Sequence, residues 1–139
     1  MADLLHYANQ LIIDLKPSRI FIYEGDNDLS AGKTPDQILS SANNLLDQIR
    51  ENLPKKVNVY FLSAKPSLAR AHLRSEFEAF NMALREWTNS KKNVHYIDVW
   101  SPMMGVDGKV MNDIFIADGL HMNEKGYTIW KGIIGPYLK

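Results

Sequence analysis

The sequence predicts an α/β fold, a short parallel sheet of about three strands with helices on both faces. Three observations carry this. The runs Arg19–Tyr23, Val57–Leu62 and Val94–Val99 are short, apolar and rich in β-branched and aromatic residues, as strands buried on both faces are. Between them lie stretches of helical periodicity, giving the order α-β-α-β-α-β-α, which implies right-handed crossovers. Neither a repeat nor a linker interrupts the 139 residues, so 1–139 reads as a single domain. Three strands is few for an architecture whose sheets usually have about five or six. A sheet edge is therefore expected to lack its partner.

In chain order, residues 3 to 16 carry an amphipathic helix pattern with Leu4, Ala8, Leu11, Ile12 and Leu15 on one face. Lys16-Pro17 ends it, because the residue before a proline is pushed out of the α region. After the first strand, Thr34-Pro35-Asp36-Gln37 reads as a capped helix start, with Pro35 at the first helical position and Gln37 completing a capping box. That helix runs to about Leu53 and buries Ile38, Ala42, Leu45, Leu46 and Ile49. The second strand is followed by the loop Ser63–Ser67, then by a helix from about Leu68 to Thr88 with Leu73, Phe77, Phe80, Leu84 and Trp87 inward. The third strand gives way to an irregular stretch, Trp100 to Met122, with turn signals at Gly105 and Asp107-Gly108. A last helix starts near Asn123 and buries Ile129 or Trp130, Ile133 and Tyr137.

Composition narrows the function. Lys+Arg and Asp+Glu both total 16, which argues against a broad nucleic-acid surface. No apolar run approaches the ~18–20 residues of a membrane span. Without cysteine there are no disulfides or thiolate metal sites. His6, His72 and His95 have no ligand partner at metal spacing, so no metal and no cofactor is called for.

Several motifs fail on inspection. Gly32-Lys33-Thr34 sits where a phosphate loop would, but the required first glycine is Asn27, and Glu24, Asp26 and Asp28 would repel a polyphosphate. Ser30-Ala31-Gly32-Lys33 matches S-x-x-K without its partner motifs. Asp26-x-Asp28-x-Ser30 lacks the glycine and glutamate of a calcium loop.

Two stretches remain. Gly25-Asp26-Asn27-Asp28 follows a strand, and in an open α/β sheet ligands sit beyond the strands' carboxyl ends. Asp118-Gly119-Leu120-His121 places an aspartate three residues before a histidine, close enough on a tight loop to fix the imidazole as a general base. Each alone also reads as an ordinary turn.

Together they resemble blocks III and V of the SGNH (GDSL-type) hydrolases. Tyr23-Glu24, Lys65-Pro66-Ser67, Asp98-Val99, Leu120–Asn123 and Gly126-Tyr127 are similar to that family as well. The resemblance implies a flavodoxin-like three-layer α/β/α fold and an esterase or acylhydrolase acting on a small-molecule ester. By match it implies Asn27 as oxyanion donor, His121 as general base and Asp118 as its orienting carboxylate.

The family's Gly-Asp-Ser nucleophile block has no counterpart here. The serines at 18, 30, 40, 41, 63, 67, 75, 90 and 101 all stand in other contexts. On this resemblance the chain corresponds to the family's C-terminal portion, beginning after its first two strands, and should be nearly inert alone. A signal peptide would be lost with the missing part, so localisation stays unassigned. The lost strand would leave residues 19–23 as an apolar edge, expected to self-associate or to take up an N-terminal fragment. A non-catalytic module that binds an ester or carbohydrate in the leftover cleft is a second function open to this sequence, and a phosphate-loop nucleotide-binding protein, which tight ATP or GTP binding would reveal, is a third.

Overall fold

The computed structural model describes residues 1–139. Strands β1 (Arg19–Ile22), β2 (Asn58–Leu62) and β3 (Val94–Ile97) form one parallel sheet in the order β1-β2-β3. Phe21 lies opposite Tyr60, and Tyr60 opposite His95. Alternation along each strand sorts side chains to two faces. Ile20, Ile22, Val59, Phe61 and Val94 join the main core with α3 (Pro35–Asn52) and α4 (Arg74–Asn89). Phe21, Tyr60, Leu62 and Ile97 face the other way, under Trp130, Ile133 and Ile134 of α5 (Glu124–Ile134). On that face the Phe21, Tyr60 and His95 rings stack across the strands, 4.7 and 4.8 Å apart. The result is the three-layer α/β/α arrangement that the element order implies.

The helix α3 forms as its sequence dictates. Thr34 Oγ1 accepts from the Gln37 backbone N–H, the Gln37 side chain accepts from the Thr34 N–H, and Pro35 opens the first turn. Its buried residues are the five expected, Ile38, Ala42, Leu45, Leu46 and Ile49.

Elsewhere the boundaries move. The single helix expected over 3–16 is instead α1 (Ala2–His6) followed by a π-type turn, Asn9–Ile13, in which the Asp14 N–H reaches back to Asn9 O at 2.8 Å. The wider turn breaks the 100° phase of the apolar stripe. Ala8 and Ile12 stay buried, whereas Leu11 and Leu15 are 55% and 71% exposed. Both line an apolar groove of about 280 Å³ along β1 with Ile20 and Ile22.

The helix expected from Leu68 begins only at Arg74, after a 3-10 turn at Ala71–Leu73. Residue 69 is already committed, its N–H donating to Gly119 O at 3.1 Å. The third strand stops at Ile97 rather than Val99, because the Val99 and Trp100 N–H groups turn to Ser63 Oγ. Past α5, Tyr137 falls in a closing 3-10 turn opened by Gly135-Pro136 and is 39% exposed, not buried. Its ring edge still reaches Tyr60. No helix is long and apolar enough to cross a membrane.

Candidate active site

Three loops at the carboxyl ends of the strands build the site. The first follows β1. Gly25 has φ +111°, and a Cβ there would lie 2.8 Å from two ring carbons of Phe80, so only glycine fits without displacing the core. The chain then enters α2 (Asp26–Ser30), whose first turn carries Asp26 and Asn27. Asn27 is exposed, and its Oδ1 accepts from Arg70 Nη2 at 2.7 Å. That bond turns the amide NH2 the opposite way, free to donate. Asp26 accepts from the Tyr23 hydroxyl at 2.9 Å and faces the Arg70 guanidinium at 3.3 Å. Burial, with the Asp26 charge behind it, pushes the Tyr23 hydroxyl's pKa up.

Asp28 points inward, to the Met1 ammonium at 2.8 Å and Lys33 Nζ at 2.5 Å. Burial pushes its carboxyl up, but the hydrogen bonds from Lys33 and the amino terminus outweigh it, and the net shift is downward.

The second loop carries Asp118 and His121. A bridge between Phe115 and Met122 closes its base, and Asn123 caps α5 while its Nδ2 donates to Asp113 O and Phe115 O. Inside the loop Gly119 takes φ +65°, and the Ile116 N–H donates to His121 O. Asp118 Oδ1 accepts the N–H groups of Leu120 and His121, both at 2.9 Å. Its Oδ2 lies 2.6 Å from His121 Nδ1. The imidazole bond first, then the two backbone N–H groups, hold the Asp118 carboxyl at about 2. With that depressed value, the interactions favour the folded loop above the ordinary carboxylate range and fade as pH falls toward 2. A carboxylate fixed at Nδ1 makes that nitrogen the donor and leaves Nε2 as the basic atom. His121 is 70% exposed at its side chain, so Nε2 is accessible.

The third loop, after β2, brackets the other two. The Lys65 ammonium donates to Leu120 O at 2.9 Å and lies 3.9 Å from Asp26 Oδ2. Burial lowers its pKa, against the pull of Asp26. Arg70 holds Asn27, and Ala69 holds Gly119. Asn81 on α4 fixes the start of this loop, its Oδ1 accepting from Ala64 N at 2.8 Å and its Nδ2 donating to Ala64 O at 2.9 Å. Asn81→Leu strands both backbone groups in the core, at about 1–3 kcal/mol each. Urea denaturation should show a clearly lower midpoint at unchanged slope. An unchanged midpoint would mean that the loop is held by other contacts.

Of the residues singled out in the sequence, the structure joins Asp118 and His121 directly and ties Asn27 to their loop through Arg70, Lys65 and the segment between them. Arg70, Asn81 and the bridging role of Lys65 are not evident in the sequence. Lys65 gave a faint signal, a charge at the end of an apolar strand. Arg70 gave none, since periodicity placed it inside a helix.

The GDSL-like Lipase/Acylhydrolase family model matches residues 3–129. No curated protein matches the chain. Among solved structures, it is similar to a carbohydrate esterase family 3 from Talaromyces cellulolyticus, with 25% identity and a TM-score of 0.81 over 98% of this chain and 64% of that one. A GDSL-like lipase from Bacteroides thetaiotaomicron superposes with a TM-score of 0.81 at 18% identity, covering 99% of this chain and 69% of the other. A Clostridium thermocellum family 3 carbohydrate esterase gives a TM-score of 0.66 at 19% identity, covering 99% and 65%. The chain thus spans about two thirds of the length of these structures.

Proposed function

The chain belongs to the GDSL-like lipase/acylhydrolase family, and on that premise we propose that it carries the base and one oxyanion donor of an ester hydrolase whose nucleophilic serine lies outside residues 1–139. One observation carries the reading: the 2.6 Å Asp118–His121 bond, which leaves an exposed, basic Nε2. His121 Nε2 takes the serine proton as the hydroxyl oxygen attacks the ester carbonyl. The Asn27 NH2, turned outward by Arg70, donates to the oxyanion. Collapse expels the alcohol, protonated by His121, and water then hydrolyses the acyl-enzyme by the same route.

The absence of a Gly-Asp-Ser segment supports placing the nucleophile elsewhere. So does the state of the serines: none bonds to the His121 ring, and Ser67 is buried. The test is hydrolysis of p-nitrophenyl acetate by residues 1–139, alone and joined to a strand ending in Gly-Asp-Ser. The reading expects a near-background rate alone and a rate well above it once joined. A robust rate from the chain alone, lost on mutating one of its own serines, would overturn it.

The same reading assigns the β1 edge to a further strand. β1 pairs on one side only, and the apolar groove bounded by Leu11, Leu15, Ile20 and Ile22 runs along it. Unpaired N–H and C=O groups beside apolar surface form a template for another strand. The isolated chain should therefore self-associate or aggregate. Size-exclusion chromatography with light scattering across a concentration series checks this. A stable monomer at high concentration, with slow amide exchange at Phe21 and Ile22, would contradict it.

A further inference from the structure

Two hydrogen bonds reach the segment Asp118–His121 from outside its own loop. The Ala69 N–H donates to Gly119 O, and the Lys65 ammonium donates to Leu120 O. Leu120 O belongs to the peptide unit that leads into His121. The N–H of that same unit donates to Asp118 Oδ1 at 2.9 Å. The peptide is therefore gripped at both ends, and with it the direction in which the His121 side chain leaves the backbone.

Lys65 stands on a rigid base. Ser63 and Ala64, just before it, are fully buried. Ser63 Oγ accepts from the Val99 and Trp100 N–H groups, and Asn81 satisfies both backbone groups of Ala64. From this anchor the ammonium reaches Leu120 O at 2.9 Å and Asp26 Oδ2 at 3.9 Å, and it lies 6.0 Å from the centre of the Phe115 ring. Asp26 adjoins Asn27, and Phe115 closes the base of the histidine loop through its bridge to Met122. One charge touches both halves of the site.

That charge is costly where it lies, since Lys65 is only 7% exposed. A methionine would fill the space without taking a charge out of water. What the ammonium adds is polarisation. By donating to Leu120 O it makes the N–H of the same peptide a stronger donor to Asp118, because hydrogen bonds in a chain reinforce one another.

We propose that Lys65 is a positioning residue for the base: its ammonium fixes the His121 peptide and, through it, sets the Asp118–His121 pair relative to Asn27. The effect on turnover rests on the ester-hydrolase reading; the positioning itself does not.

Amide hydrogen exchange in the 139-residue chain tests this, comparing the wild type with Lys65→Met and Lys65→Gln. Either substitution should speed exchange at His121 about tenfold to a hundredfold, the loss of one charge-assisted hydrogen bond. The amide of Val59, in the core, should exchange no faster, and the Asp118 carboxyl should protonate at a higher pH. The glutamine variant keeps a polar side chain and serves where the methionine variant fails to fold. In the joined chain both should lower kcat with KM nearly unchanged, and Lys65→Arg, which keeps charge and donors, should lower it less. Unchanged exchange at His121, an equal acceleration at Val59, or a raised KM with kcat intact would overturn the proposal. If His121 loosens while the joined chain proves inactive on esters, the positioning stands and the hydrolase reading fails.

Discussion

His121→Ala, in the chain joined to a Gly-Asp-Ser strand, should lower kcat on p-nitrophenyl acetate by about 10⁶-fold, and Asp118→Asn by about 10⁴-fold, with KM nearly unchanged. Without the imidazole nothing at hand takes the serine proton, so the oxyanion that Asn27 is proposed to stabilise does not form. Asp118→Asn acts differently. Asp118 Oδ1 is held by two backbone N–H groups, so an asparagine would keep its oxygen there and turn its NH2 toward His121 Nδ1. Nδ1 would then have to accept, the proton would move to Nε2, and the base would be lost with the loop intact. Nitrogen NMR of the ring should show this change of tautomer. Asn27→Ala should cost less, about 10²–10³-fold, the loss that removing a single oxyanion donor typically produces. An active His121→Ala enzyme, or a tautomer unchanged in Asp118→Asn, would contradict the assigned roles.

Phe80→Ala should destabilise the domain by about 3–5 kcal/mol, a large part of the ~5–15 kcal/mol that holds a domain of this kind folded. Phe80 is 1% exposed in the main core, and its ring lies directly beneath Gly25. It is therefore both core filling and the support of the loop that presents Asn27. Gly25→Ala tests the second part. Its Cβ would meet the Phe80 ring at 2.8 Å on a backbone of φ +111°. Overpacking and the left-handed backbone each cost about 1–3 kcal/mol. Combining it with Phe80→Leu opens space, so the pair should be less destabilised than the sum of its parts by about 0.5–3 kcal/mol. Denaturant titrations of the two single variants and the double measure this coupling. Strict additivity would show that the loop does not rest on the ring.

The sequence was most legible where structure is local. The α3 capping box and its five core residues lie within a few turns of one another. Asp118 and His121 are three residues apart on a loop that an Asx-type turn closes, so their bond could be anticipated. The N-terminal stripe misled because the π-type turn after α1 adds a residue per turn, and periodicity assumes a constant phase. Arg70 was invisible because its partner, Asn27, lies 43 residues away and the pairing exists only once β1 and β2 are side by side. Asn81 has the same character. Its sequence position marks it as helical, and only the packing of α4 on the sheet shows that it replaces water at Ala64.

Whether Asp118 and His121 form a competent base for a serine outside residues 1–139 can be read with a fluorophosphonate probe and mass spectrometry. Such a probe bonds covalently only to a serine whose proton is drawn off by a neighbouring base. In the chain alone no serine should carry the label. Joined to its Gly-Asp-Ser strand, the protein should carry the label on that serine, and the label should vanish with His121→Ala. Labelling of any serine within residues 1–139, or labelling of the joined protein that survives His121→Ala, would contradict it.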